Sequence, residues 1–289
     1  MGFFQTFHTW LNGQLTSYIA DNTARLATAL EPAVVTFGTL YVAVWGYLHL
    51  TGSVEQPFIV GLKRIATLAL VLGSGLRLWL YNSVIVDTFY DAPAQLAAAI
   101  IGAADPVSVV DSIWEQGGAV AADIWIQGAL HGIGGYGFAI AGAVVWLLMG
   151  LLCVYTMFLI ALSSIALAVL LALGPLFIPT VLFERTRRLF DSWLAQLTNY
   201  GLITILTVLM AALMLQIVQS YALQTAQLGT AIQTVDALNM VLVSVLVFLL
   251  MRQVMPIAAG LAGGIALSTH STMSNAIRMA LRPLGGVFR

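Results

Sequence analysis

Charged side chains are scarce in this chain of 289 residues: there are 11 Lys and Arg and 12 Asp and Glu, together 8% of the sequence. Hydrophobic residues make up 60%, whereas a typical soluble domain is about half apolar and about a quarter charged. So few charges cannot cover a water-facing surface, so the composition excludes a soluble globular protein and predicts a polytopic membrane protein. The formal net charge of -1 excludes a generally basic nucleic-acid binder.

Cysteine is nearly absent as well. The single residue, Cys153, excludes an intrachain disulfide framework and any site built from several cysteines. The sequence also contains no His-Glu-x-x-His motif, no phosphate-binding loop and no serine nucleophile elbow. We therefore expect no catalytic residue, no cofactor and no metal, and we expect that the protein is not an enzyme.

Long uncharged stretches predict the membrane spans, because about 20 apolar residues suffice to cross a bilayer. The longest runs from Ile124 to Phe183. A straight helix of that length would measure about 90 Å, three times the hydrocarbon thickness, so it must break. Residues 161–183 contain Gly174, Pro175 and Pro179. Two interpretations stay open: a bent or re-entrant segment, or one long tilted helix that protrudes into the cytoplasm.

The basic residues predict the orientation, because cytoplasmic loops carry an excess of Lys and Arg. Nine of the 11 fall in three clusters: Lys63 and Arg64; Arg185, Arg187 and Arg188; and Arg252, Arg278, Arg282 and Arg289. If the long uncharged stretch crosses once, all three clusters lie in the cytoplasm. This solution gives five spans, with the N-terminus outside and the C-terminus inside.

The sequence thus predicts an all-α integral membrane protein with about five transmembrane helices, a broken or re-entrant segment and amphipathic periplasmic helices. The predicted segments of the N-terminal half are a periplasmic amphipathic helix (1–32), a segment with spans one and two (33–84) and a periplasmic loop (85–135). Span one is predicted at 33–52 and span two at about 65–84, with an inner loop near 53–64. The C-terminal half is predicted to hold span three at about 136–160 with the bent segment (together 136–183), a cytoplasmic hinge (184–194), spans four and five (195–255) with a periplasmic loop at 221–235, and a cytoplasmic tail (256–289).

Two amphipathic helices are predicted outside the membrane. In the first, Phe3, Phe4, Phe7 and Trp10 share an apolar face that serves as an interfacial anchor or a partner site. The second lies at about 106–127, where Asp105 and Pro106 form a strong helix start. Its apolar face, with Trp114 and Trp125, packs on the protein's own spans or docks a periplasmic partner.

The acidic residues of the large loop have no basic counterpart. Residues 87–134 hold six Asp and Glu and no Lys or Arg. We interpret these acids as solvated charge, because no histidine constellation or nucleophile accompanies them. A conduit that grips single-stranded DNA should be basic, so this loop argues against direct DNA gripping.

A Gly-Pro-rich run stands before the fourth span. It reads Leu173-Gly174-Pro175 through Pro179, then Phe183, the basic residues Arg185, Arg187 and Arg188, and Phe190-x-x-Trp193. Together with the five-span layout, this pattern resembles the TrbL-like polytopic inner-membrane subunit of bacterial type IV secretion and conjugation systems. Trp193 is the residue that the resemblance marks as functional, with Phe190 on the same face; an ordinary interfacial tryptophan is the alternative.

The resemblance implies a non-enzymatic channel or platform subunit in the bacterial inner membrane that supports pilus assembly and substrate translocation. The implied partners are pilin, a minor pilus-tip subunit, bitopic inner-membrane subunits, a cytoplasmic ATPase and membrane lipids. A ring of copies, with five as the expected number, is predicted because one copy cannot enclose a large substrate. Gly260 and Gly264 fit a small-xxx-small pattern that serves ordinary helix packing or oligomerisation. A self-contained secondary transporter or small-solute channel is the alternative function.

Overall fold

The computed structural model describes residues 2–52, 78–103, 105–130, 136–182, 186–228 and 234–263. All the regular secondary structure within these ranges is helical. The elements are α1 (Phe3–Leu50), α2 (Leu78–Tyr81), a π-helix (Asn82–Asp91), α3 (Ala92–Ile101), α4 (Ser108–Leu130), α5 (Tyr136–Ala172), α6 (Gly174–Phe177), a 3-10 helix (Ile178–Leu182), α7 (Arg187–Leu228) and α8 (Thr234–Met251). This confirms the predicted all-α integral membrane protein.

Five helices in the described ranges are long and apolar enough to cross a membrane: Phe3–Leu50, Asn82–Ile101, Tyr136–Ala172, Arg187–Tyr221 and Leu238–Gly263. The second of these overlaps the predicted span two at 65–84 only at residues 82–84, and the rest of it falls inside the segment predicted as a periplasmic loop. Residues 53–77, with the predicted inner loop and most of that span, lie outside the described residues, as do residues 264–289 of the tail. The segment boundaries therefore stay predictions.

One hydrogen bond restricts which of these segments can lie on the same side of the membrane. A span that leaves the cytoplasm at about 65 and ends at 84 would put Tyr81 near its outer end, and the predicted hinge at 184–194 puts Leu171 near the cytoplasmic side. In the structure the Tyr81 hydroxyl donates a hydrogen bond to the Leu171 carbonyl, and the Tyr81 side chain is fully buried. Two residues in contact cannot lie on opposite sides of a bilayer, so these two placements cannot both be right.

The first helix is longer than we expected. We predicted an amphipathic helix over residues 1–32 and a separate span after it, but α1 is continuous through Pro32. Proline removes one amide donor yet holds a helical φ, so a single proline does not have to end a helix. The predicted apolar face is divided: Phe4 is buried, whereas Phe3 and Trp10 are 76% and 60% exposed.

The long uncharged stretch does break, but late. Helix α5 continues to Ala172, so residues 161–172 extend the helix, and the backbone then changes to α6 and the 3-10 helix. Helices α1, α5 and α7 contain 48, 37 and 42 residues. At 1.5 Å per residue they measure about 72, 55 and 63 Å, against a hydrocarbon thickness of about 30 Å. Each is much longer than one crossing needs.

The chain packs as two units. The first comprises Met1–Gln14, Ala92–Ile165 and Tyr200–Ala259. Its core brings together side chains of α4, α5, α7 and α8, among them Ile113, Val145, Met149, Val208 and Val247. Helices α4 and α5 approach closely at Gly142, where an added Cβ would lie 2.9 Å from the Ala121 carbonyl oxygen. Only glycine permits this approach of the two backbones.

The N-terminus of α1 is fixed to α4 in the same unit. The Asp111 carboxylate accepts hydrogen bonds from the Phe4 amide at 3.1 Å and the Gln5 amide at 3.0 Å. It thereby satisfies two of the amides that a helix N-terminus leaves free, and its charge complements the helix dipole. The Gln5 side chain also donates to Asp105 at 2.9 Å. We interpreted these acids as solvated charge, but Asp111 and Asp105 have structural partners.

The second unit comprises Leu15–Asp91, Ala166–Asn199 and Gly260–Arg289. It contains the π-helix, the end of α5, the broken segment after it and the start of α7. The break and the residues of the sequence pattern around Trp193 therefore belong to one compact unit.

Candidate functional site: the broken end of α5

The end of α5 leaves backbone carbonyls without their helical donors. In a continuing helix the amide of residue 175 would bond to the Leu171 carbonyl, but Pro175 has no amide hydrogen. The helix ends at Ala172, and one short helical turn, Gly174–Phe177, follows. Because an unpaired carbonyl is costly in an apolar interior, these groups need donors from elsewhere.

Tyr81 supplies the first of these donors. Its hydroxyl bonds to the Leu171 carbonyl, 90 positions away in sequence. The phenol thus takes the place of the amide that Pro175 lacks. Gly174 makes room for it, because a Cβ at Gly174 would collide with the Tyr81 phenol.

Trp193 supplies the second donor at the broken helix end. Its indole Nε1 donates to the Leu170 carbonyl at 2.8 Å, one residue before the carbonyl that Tyr81 binds. The ring stacks on Phe177 with centroids 5.9 Å apart, and Phe190 lies 5.6 Å from it. Trp193 is only 3% exposed. The structure therefore places Trp193 inside the protein, beside Phe190 as the spacing predicts, and not at an exposed interface.

Two threonine hydroxyls donate hydrogen bonds to backbone carbonyls in the segment that follows the break. Thr180 Oγ1 donates to the Phe177 carbonyl at 2.6 Å, and Thr186 Oγ1 donates to the Thr180 carbonyl at 2.9 Å. Helix α7 then begins at Arg187, and Arg188 is exposed. Arg185 lies outside the described residues. The site is thus a broken helix end whose free carbonyls are capped by aromatic donors, next to a basic patch.

The described polar side chains at this site bind backbone carbonyls of the protein itself. Among the described residues, no group of three or more His, Cys, Asp or Glu side chains could hold a metal ion. The polar groups at the break are donors fully engaged with backbone carbonyls. Such an arrangement can fix the direction in which α6 leaves α5.

A second group of predicted residues lies on α4, in the first unit. Trp114 is 36% exposed, forms a ring pair with Trp146 of α5 at 5.5 Å, and covers Gly150. Trp125 is 53% exposed. We call Trp114, Trp125 and Trp146 the tryptophan face. Sequence reasoning missed Trp146. Gly150, four residues later, leaves room for the Trp114 ring on α5, beside Trp146.

The glycines of the small-xxx-small pattern make no internal packing contact that the structure describes. Gly260 is exposed, and an added Cβ there would meet nothing within 4 Å. Gly264 lies outside the described residues. Within the part of the chain that the structure describes, no side chain or backbone packs against Gly260.

Sequence reasoning missed Tyr81 and Asp111, each of which binds backbone groups of a distant segment. Pro175 signals that the Leu171 carbonyl needs a donor, but nothing in the sequence indicates that the donor is Tyr81. Nothing in the sequence indicates either that Asp111 binds the Phe4 and Gln5 amides, which are more than 100 positions away.

The broken segment lies inside the part of the chain that matches a known protein family. A family model described as TrbL/VirB6 plasmid conjugal transfer protein matches residues 38–254. The type IV secretion system protein VirB6 of Bartonella quintana is 24% identical over 224 residues, covering 74% of this chain and 67% of the relative. The VirB6 protein of Brucella abortus is 23% identical over 295 residues, covering 96% and 83%. Protein VirB6 of Agrobacterium fabrum is 24% identical over 215 residues, covering 73% and 72%.

Proposed function

The chain belongs to the TrbL/VirB6 family of plasmid conjugal transfer proteins, and from this premise we propose that it is the inner-membrane platform on which a type IV secretion machine assembles its pilus and passes its substrate. Membership makes it a multi-pass inner-membrane subunit of such a machine. The platform role, the partners and the orientation are our proposal.

One observation supports the platform role above the others: the apolar surface of α5 is longer than a bilayer can cover. Large apolar side chains are exposed along one stripe: Ile140, Leu147, Val154, Phe158, Ile165 and Val169. This stripe extends over about 44 Å of helix, against about 30 Å of hydrocarbon. At the average helix tilt of about 20°, the stripe still extends over about 41 Å along the membrane normal. The excess then needs cover from protein, because large exposed apolar patches mark interaction sites.

The partners we propose follow from this surface and from the family. Pilin, a minor pilus-tip subunit and bitopic inner-membrane subunits would contact the part outside the hydrocarbon, and lipids would cover the rest. A cytoplasmic ATPase would supply the energy, because the sequence has no phosphate-binding loop. The basic patch at Arg187 and Arg188, next to the α5 break, is where a cytoplasmic partner would bind.

The proposal is tested by deletion and reconstitution. Cells that lack this chain should form no pili and should lose substrate transfer by several orders of magnitude, and the intact gene should restore both. The purified chain alone in liposomes should pass no small solutes. Normal piliation in the deletion strain would refute the platform role, and selective solute flux would favour the transporter alternative.

The orientation that we propose keeps the N-terminus periplasmic and the C-terminus cytoplasmic, but takes Asn82–Ile101 as the second span. Tyr81 then lies on the cytoplasmic side with Leu171, which their contact requires. Alkaline phosphatase, which is active only in the periplasm, should be inactive when fused after Tyr81 or Arg188 and active when fused after Gly102. Activity after Tyr81 would restore the span at 65–84 and refute this orientation.

We further propose that several copies form a ring, with five as the expected number. Gly260, which packs against nothing described within the chain, and the end of α7, where Leu223 is 65% exposed, would face neighbouring copies. In a Cys153→Ala background, Leu223→Cys should yield cross-linked dimers of this chain in native membranes when short bifunctional thiol reagents are added, because each copy then carries one thiol. Cross-links to other proteins only, at native expression level, would show that copies do not neighbour one another.

A further inference from the structure

Two buried hydroxyl groups join helices α5 and α7 inside the first unit. Ser163 Oγ of α5 and Thr204 Oγ1 of α7 lie 2.8 Å apart, and both side chains are buried. Both helices contain candidate membrane spans. Because the bilayer core offers no water to polar groups, hydroxyls between these helices must be satisfied inside the bundle.

The hydrogens of this pair can be assigned from the distances. Ser163 Oγ also lies 2.8 Å from the Ile160 carbonyl oxygen. Thr204 Oγ1 lies 3.3 Å from the Tyr200 carbonyl oxygen. A hydroxyl has one hydrogen to donate, so both 2.8 Å bonds form together only if Thr204 donates to Ser163 and Ser163 donates to Ile160. The Thr204 oxygen then keeps its lone pairs free to accept a hydrogen bond.

Thr207 follows Thr204 on the same face of α7, because positions three apart are neighbours on a helix surface. Its side chain is fully buried, and its hydroxyl has no hydrogen-bond partner among the described groups of the chain. Thr156 and Thr198, by contrast, donate to the carbonyl four residues earlier, at 2.8 and 2.9 Å. One turn of α7 therefore presents a free acceptor at Thr204 and a free donor at Thr207.

We propose that one water molecule is bound between α5 and α7 and joins these two groups. The water accepts a hydrogen bond from the Thr207 hydroxyl and donates one to the Thr204 oxygen. Its second hydrogen bonds to the spare lone pair of a backbone carbonyl on α7, which gives the three bonds that a buried water typically makes. This site goes beyond the proposed function and does not depend on it.

The bound water has a consequence for the packing of the two helices. It completes a chain of hydrogen bonds that runs from Thr207 through Thr204 and Ser163 to the Ile160 carbonyl of α5. Directional bonds of this kind hold α5 and α7 in one register, whereas apolar side chains alone permit sliding. The site therefore positions α5, the helix that carries the long apolar stripe.

Replacement of Thr207 by valine tests the site, because valine keeps the shape of the side chain and removes the hydroxyl. Without its donor the water is lost or poorly bonded, so Thr207→Val should lower the unfolding temperature of the detergent-solubilised protein by about 3–6 °C. A hydroxyl without any partner would give the opposite sign, since its removal relieves a desolvation penalty.

Thr156→Val is the matched control, because Thr156 is equally buried and its hydroxyl bonds to a carbonyl of its own helix. This control should shift the unfolding temperature by less than about 2 °C. If Thr207→Val raises the unfolding temperature, or lowers it no more than the control does, the proposal is wrong. Should the valine variant fail to insert, Thr207→Ser and Thr207→Ala give the same comparison, since they differ only in the hydroxyl.

A direct measurement complements the stability data. In a density map of the intact protein that resolves ordered water, an isolated oxygen should lie within hydrogen-bonding distance of both Thr207 Oγ1 and Thr204 Oγ1. The same map of Thr207→Val should lack it. A map of the unaltered chain without this oxygen, or with Thr207 Oγ1 bonded to the Ile203 carbonyl, would overturn the proposal.

Discussion

Replacing Tyr81 and Trp193 by phenylalanine in the same chain is expected to abolish transfer while the protein still inserts into the membrane. Each substitution keeps an aromatic ring and removes one donor from the broken end of α5. A buried carbonyl left without a partner costs about 1–3 kcal/mol. Two adjacent ones, at Leu170 and Leu171, would remove the constraint on the direction in which α6 leaves α5.

Each single variant should show part of this effect. Tyr81→Phe and Trp193→Phe should each lower the unfolding temperature of the detergent-solubilised protein by roughly 3–10 °C, given a few degrees per kcal/mol for a chain of this size. Matched controls are Tyr136→Phe and Trp10→Phe, because these rings are 70% and 60% exposed. If the variants at the break behave like these controls, the capping role is wrong.

Gly174 allows the same hydrogen bond to be removed without changing Tyr81. A methyl group at Gly174 would displace the phenol, so Gly174→Ala should resemble Tyr81→Phe in stability and in transfer. When Tyr81→Leu vacates the space, adding Gly174→Ala should cost little more, since the two changes act on one contact. Full additivity of the two would show that Gly174 and Tyr81 act independently.

The break at the end of α5 shows which parts of this site the sequence predicts and which it does not. The scarcity of charge is enough to predict a polytopic helical protein, and Gly174 with Pro175 predicts that α5 cannot continue. The spacing of Phe190 and Trp193 predicts their common face. What the sequence does not contain is the donor for the Leu171 carbonyl, because Tyr81 comes from another helix and no local pattern links them.

The candidate span at Asn82–Ile101 was not predicted for a different physical reason. We expected spans in uncharged stretches, and Asp87 and Asp91 interrupt the stretch at Asn82–Ile101. A π-helix stacks these two acids on one exposed face, so the remaining faces stay apolar enough for a span. Periodicity at 3.6 residues per turn cannot reveal such a face.

The tryptophan face gives the second large expected effect: Trp125→Asp should abolish pilus formation and leave the protein at its normal level in the membrane. Trp125 is the cleaner position on this face because more than half of its side chain is exposed. A charge there would disrupt an apolar contact with a partner, since exposed tryptophans frequently dominate the binding energy of interfaces.

Trp114 and Trp146 should behave differently from Trp125. They form a ring pair, and Trp114 covers Gly150, so Trp114→Asp would place a charge between α4 and α5. We expect this variant, alone or combined with Trp125→Asp, to lower the amount of protein in the membrane. An effect of Trp114→Asp on piliation alone would show that the pair serves the partner and not the packing of the two helices.

The control for charge itself is Ala119→Asp. Ala119 is exposed on the same helix but away from the tryptophan face, so this variant adds the same charge to α4 and should leave pili and transfer intact. The comparison is made by immunoblot of membranes, pilus counts and transfer frequency in one strain. If Trp125→Asp forms pili as well as Ala119→Asp does, no partner docks at Trp125. If both abolish piliation, the acidic surface of α4 as a whole tolerates no further charge, and the tryptophan face has no special role.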